Sequence, residues 1–109
     1  MCGISGELFF NDHPVTEQPV KIMNQSMTKR GPDHEDLHHG TWTFLGHRRL
    51  KIIDLSAESD QPFIDPTLGL ILVFNGAIYN DKELRTQLKE MGYTFYTLVM
   101  CLLKKVKIK

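Results

Sequence analysis

The sequence predicts a mixed α and β domain in which helices pack on a sheet. Two observations predict it. Residues 18–29 and 84–91 repeat apolar side chains at helical spacing, and the apolar and aromatic runs around them are short and closed by turn residues. The order is strand, helix, two or three strands, helix, strand, an arrangement in which each element must bury one face against another. A chain of 109 residues suits one small domain.

The first strand is expected over residues 4–10, and Asn11, Asp12, His13 and Pro14 then read as a turn. Val20, Met23 and Met27 place a helix over 18–29. Arg30-Gly31-Pro32 stops it, because the residue before proline is pushed out of the α region. Residues 33–40 are polar and read as a loop. Residues 41–50, with Trp42, Phe44 and Leu45, read as a strand, and Ile52 and Ile53 suggest a second short one. Residues 56–69, rich in Asp, Ser and Pro, read as a loop. Residues 70–74 are continuously apolar, as in a strand buried on both faces. Asn80 with Glu83 has the spacing of a capping box, Leu84, Leu88 and Met91 share one helix face, and Gly92 is the stop. A last strand is expected from Tyr93 to Thr97.

Thirteen basic residues balance thirteen acidic ones. The net charge therefore gives no electrostatic case for nucleic acid or a membrane surface. Residues 1–10 lack the basic start of a signal peptide, and no apolar run approaches the length that spans a bilayer. Two cysteines, Cys2 and Cys101, are too few for a disulfide scaffold. A reducing, cytoplasmic setting is expected, with Cys2 a free thiol.

Three short stretches can carry chemistry, and each also has a plainer reading. Removal of Met1 before the small Cys2 would put a thiol and a free α-amine on one residue. With ordinary pKa values near 8.5 and 8, the amine can take the thiol's proton, so one residue supplies nucleophile and base. The plainer reading is a small buried side chain near the N-terminus. Asn75-Gly76 follows an apolar strand, where a side-chain amide and a backbone N–H can hold an oxyanion. The same pair is a strong hairpin-turn signal. Arg49, at a strand end, can grip a carboxylate with two parallel hydrogen bonds, or can belong to a solvated Arg48-Arg49 pair. His34, His38 and His39 sit among carboxylates, but their spacing fits no closed zinc pattern, and a polar surface loop is expected there rather than a metal. No phosphate-cradling Gly-Lys-Ser/Thr motif is present.

The order of these stretches is specific. Met1-Cys2-Gly3-Ile4-Ser5-Gly6, Arg30-Gly31-Pro32-Asp33, residues 46–56 from Gly46-His47-Arg48-Arg49-Leu50 onward, Gln61-Pro62, and Phe74-Asn75-Gly76-Ala77-Ile78-Tyr79-Asn80 closely resemble the start of the asparagine synthetase family. Residues 2–7, 47–56 and 65–80 are most similar to its N-acetylglutaminylglutamine amidotransferase branch. The resemblance implies a class II glutamine amidotransferase (glutaminase) domain with an α+β fold of the N-terminal-nucleophile hydrolase type, an αββα sandwich, here truncated. It implies L-glutamine as substrate, with Cys2 attacking the side-chain amide and Asn75 and Gly76 forming the oxyanion hole. Arg49 would hold the α-carboxylate, and Leu50, Ile52, Ile53 and Ala77 would line the pocket. Ala77 stands where the family usually has Glu. Residues 30–33 would be architectural.

The resemblance covers residues 1–97. Residues 98–109 depart from it, with an apolar run ending in Lys104, Lys105, Lys107 and Lys109. They read as a surface-binding segment, a terminal strand, or a new terminus left by rearrangement of a longer gene. On the last reading the ATP- and magnesium-using synthetase domain is absent, no cofactor belongs to this part, and uncovered sheet edges favour self-association. The chain would then be a glutaminase part or a non-catalytic remnant. Cys2, beside an amine, is expected to outreact Cys101, which lies among apolar residues that raise a thiol pKa. Limited alkylation with peptide mapping should label Cys2 first; preferential labelling of Cys101 would count against the nucleophile assignment.

Overall fold

The computed structural model describes residues 1–11, 14–52 and 54–95. The observed order is β1 (Gly3–Leu8), α1 (Glu17–Ser26), β2 (His34–His39), β3 (Thr43–Arg49), a 3-10 turn (Ala57–Ser59), β4 (Phe63–Asp65), β5 (Leu70–Leu72) and α2 (Asp81–Glu90). This is a small α+β fold with two sheets. The larger is antiparallel in the order β1-β3-β2, and β4 pairs with β5 in a separate hairpin.

The register Gly3↔Arg48, Ser5↔Gly46, Glu7↔Phe44 and Glu35↔Arg48, Leu37↔Gly46, His39↔Phe44 divides the three-stranded sheet into two faces. Residues opposite each other across an antiparallel pair share a face. Helix α1 covers the face of Ser5, Leu37 and Phe44. Pro19 falls in its first turn, where a missing N–H costs nothing. Sequence spacing put Val20, Met23 and Met27 inward, but the buried pair is Val20 and Asn24, while Met23 is 40% exposed. The helix turns this way because the Ser5 hydroxyl donates to Asn24 Oδ1 at 3.3 Å. The other face carries Ile4 and Leu8, both largely exposed, together with His47 and Arg49, both buried.

Six further expectations need correction. Residues 34–39 are an edge strand rather than a loop; its polar sequence conceals alternation in which Leu37 faces α1 and Glu35 forms an ion pair with Arg48. Residues 56–69 contain the 3-10 turn and β4, whose Phe63 is buried. Strand β5 stops at Leu72 and is not buried on both faces, since it pairs only within a two-stranded hairpin and leaves Leu70 59% exposed. Ile52 lies in a bend rather than a strand, and Ile53 falls outside the described residues. In α2, Asn80 holds the N-cap position without a side-chain cap bond, so the capping box is not formed. Gly92 ends this helix with φ +90°. Residues 93–95 form no strand, and 96–97 lie outside the described residues.

The stretch 30–33 fastens the end of β3. Arg48 Nε donates to Gly31 O at 3.1 Å, the Asp33 N–H donates to Arg49 O at 3.0 Å, and the Lys51 N–H donates to Asp33 Oδ2 at 2.7 Å. The backbones come so close that a Cβ on Gly31 would lie 2.4 Å from the Arg48 carbonyl carbon. Gly31→Ala should therefore destabilise the chain by about 1–3 kcal/mol through overpacking against backbone. Gly92→Ala, with open space around its Cβ, should cost only about 1 kcal/mol of left-handed strain. Denaturant midpoints at constant slope compare the two, and equal effects would rule out the contact as the cause.

Candidate functional site

Beyond its last ladder pair, β1 continues into Cys2. Extending the Gly3↔Arg48 register by one residue places Cys2 opposite Arg49. The half-buried Cys2 thiol is held by the next residue of the opposing strand: the Leu50 N–H donates to Sγ at 3.4 Å, and the S–H faces Leu50 O at 3.8 Å. From the far end of the fold, Asn75 Nδ2 donates to the Cys2 carbonyl at 2.9 Å. These contacts border an open cavity of about 440 Å³ lined by Met1, Cys2, Arg49, Leu50, Ile52, Asp54, Ser59, Gln61, Phe74, Asn75, Gly76, Ala77 and Tyr79. Its size falls within the range of small-molecule sites.

The structure thus gathers Cys2, Arg49, Leu50, Ile52, Asn75, Gly76 and Ala77 around one space. Ile53 lies outside the described residues. The reading of Arg48-Arg49 as a solvated pair is overturned, since they are 7% and 6% exposed. The Arg49 guanidinium donates to Asp60 Oδ1, to Ser56 O at 2.7 Å and to Asp54 O. Three of its five N–H groups are thereby engaged. Asp60 also has Lys51 at 3.8 Å and His34 Nδ1 at 3.5 Å. The Asp54 carboxylate accepts from the Ser56 N–H and hydroxyl and from the Ser59 hydroxyl, at 2.6–2.9 Å. Among the described residues no cluster of three His, Cys, Asp or Glu is placed to hold a metal.

Sequence reasoning assigned no role to Asp54, Ser59, Gln61, Phe74 or Tyr79. Ser59 and Gln61 come from the stretch 56–69 that looks like solvated loop, and Asp54 lies just before it; nothing in the pattern announces that these three are at most 9% exposed. The one available signal was the position of Asp54 and Gln61 within the family-like stretches.

Residues 1–99 match the family described as "Glutamine amidotransferase domain". The chain belongs to that family, as the class II glutamine amidotransferase domain of asparagine synthetases. It is 41% identical over 102 residues to asparagine synthetase [glutamine-hydrolyzing] 1 of Bacillus subtilis (strain 168), covering 89% of this chain and 16% of the relative. The nodule asparagine synthetase [glutamine-hydrolyzing] of Pisum sativum is 38% identical over 93% of this chain and 17% of the relative. An asparagine synthetase [glutamine-hydrolyzing] of Sandersonia aurantiaca is 39% identical over 89% and 18%. The chain therefore spans about a sixth of the length of these curated relatives. No helix among the described residues is long and apolar enough to cross a membrane.

His47 shares a sheet face with Arg49 and is fully buried. Burial pushes its pKa down to about 4; the nearby Arg49 and His34 push the same way, while the Phe74 backbone and Asp60 oppose them. The unfolded chain then binds a proton near pH 6.5 that the folded chain refuses. Stability from this group is complete above pH 6.5 and is lost as pH falls toward 4, by up to about 3 kcal/mol. His47→Gln should flatten that part of the stability–pH profile measured by denaturant unfolding; an unchanged slope between pH 6.5 and 4 would refute the assignment.

Proposed function

We propose that this chain forms the glutamine-hydrolysing site of an asparagine synthetase-like enzyme, with Cys2 as nucleophile. The observation that carries this reading is the Asn75 side-chain amide reaching across 73 residues to the backbone of Cys2. Nothing in the local pattern of either residue requires that meeting, and it sets an amide donor beside a thiol in a cavity large enough for an amino acid. A pocket bordered by both of these distant stretches does not favour the alternative of a non-catalytic remnant.

With Met1 removed, the Cys2 α-amine would accept the thiol proton, and the thiolate would add to the amide carbon of L-glutamine. Asn75 Nδ2 and the Gly76 N–H would hold the oxyanion. Collapse breaks the C–N bond and ammonia leaves with the proton; water then hydrolyses the thioester to glutamate. The Nε–H and remaining Nη2–H of Arg49 would meet the α-carboxylate, and Leu50, Ile52, Ile53 and Ala77 would line the pocket. The same reading divides the chain into the amidotransferase part, residues 1–97, and a tail, 98–109. The finer parts of the proposal are an αββα, N-terminal-nucleophile hydrolase arrangement, the N-acetylglutaminylglutamine amidotransferase branch and a cytoplasmic setting. ATP and magnesium would serve the synthetase part of the full-length enzyme. No step of the glutamine hydrolysis above runs through either. Exposed Ile4, Leu8 and Trp42 favour self-association when the chain stands alone.

Glutamate release from glutamine tests this reading. Activity should vanish to background in Cys2→Ala and fall about 10²–10³-fold in Asn75→Ala. Intact mass should show Met1 absent. A chain that retains Met1, or activity that survives Cys2→Ala, would sink the proposed chemistry.

A further inference from the structure

Strand β5 loses its ladder partner after Leu72, yet Phe74, two residues on, is held by a side chain. The Phe74 N–H donates to Gln61 Oε1 at 2.6 Å, and Gln61 Nε2 donates back to Phe74 O at 3.1 Å. A carboxamide presents one acceptor and one donor side by side, as a backbone peptide group does. Gln61 thus stands in for a missing strand, and at 5% exposure water competes little for its bonds. The residue after Phe74 is Asn75, which reaches Cys2. The residue before Gln61 is Asp60, whose carboxylate pairs with Arg49. Two consecutive residues thereby tie down opposite walls of the cavity.

We infer that Gln61 is a positioning residue that fixes the Asn75–Gly76 donors against Cys2 through the backbone of Phe74. The inference rests on the glutaminase reading for its kinetic consequence but not for its geometry. An oxyanion donor displaced by about 1 Å loses transition-state stabilisation while leaving ground-state binding largely intact. The defect should therefore fall on kcat rather than KM.

Gln61→Met and Gln61→Glu in the full chain separate the possibilities. Gln61→Met keeps the bulk and removes both bonds. It should speed hydrogen exchange at the Phe74 N–H and the Asn75 side-chain amide by about tenfold or more, and lower kcat about 10–100-fold with KM within about twofold. Gln61→Glu as a carboxylate lacks the donor, but as the neutral acid it again offers one donor and one acceptor. Its kcat relative to the parent chain should climb back toward one as pH drops from about 8 to about 5. Unchanged exchange at both groups in Gln61→Met would overturn the clamp. Faster exchange with unaltered kcat, a change confined to KM, or a Gln61→Glu deficit independent of pH would each overturn the positioning role. If the parent chain shows no Cys2-dependent turnover, the glutaminase reading fails by itself. Exchange at the Asn75 amide then decides the present inference, faster in Gln61→Met supporting it and unchanged overturning it.

Discussion

The charge of Arg49 sits almost out of water, and a guanidinium in that position must be met by acceptors or the fold will not tolerate it. Asp60, Ser56 O and Asp54 O meet it. Because all three belong to the segment after β3, satisfying one cation folds residues 54–60 back over the end of the sheet. The Asp54 carboxylate then gathers Ser56 and Ser59 beneath it, and Gln61 emerges aimed at Phe74. Remove the acceptor at Asp60 and an uncompensated buried charge remains, typically a loss of about 3–5 kcal/mol. The cavity wall depends on that pairing more than on apolar packing. Only Val20, Phe44 and Phe63 are buried hydrophobic residues among those described.

The same economy appears at the sheet. Among the described residues, β3 is the one strand flanked on both sides, by β1 and β2, and it carries His47, Arg48 and Arg49 in succession. Neighbours in a strand point to opposite faces. Arg48 is therefore directed to Glu35 and the Gly31 carbonyl, and Arg49 to the site. Two adjacent arginines of identical chemistry are separated into a structural and a site-lining role by the pleat alone.

Strand β3 was readable because Thr43, Phe44 and Leu45 carry β-forming side chains, and α1 because of its spacing. Strand β2 was not, since His34–His39 satisfies an edge position with an ion pair and a single leucine instead of an apolar run. The rotation of α1 toward Asn24 was hidden for a related reason: a polar pair in the interior is decided by a partner on another strand, Ser5. At the site, Cys2, Arg49 and Asn75 were identifiable as residues through the family resemblance. The meeting of Cys2 with Arg49 follows from the Gly3↔Arg48 register, which no local pattern encodes. Gln61 stayed unassigned because a glutamine beside proline gives no sign that its amide will pair with a backbone.

The bond between Asn75 and Cys2 also sets a clock. The two residues are separated by nearly the whole described chain, so the pocket cannot close until the ribosome has made and released the later one. At roughly 5–20 residues per second, the first residues spend several seconds in the open before their partners exist. During that interval Cys2 lacks the bond from Asn75 that ties it down in the folded chain. Any trimming of the N-terminus thus has its easiest moment during synthesis, before Leu50 and Asn75 take hold of the cysteine.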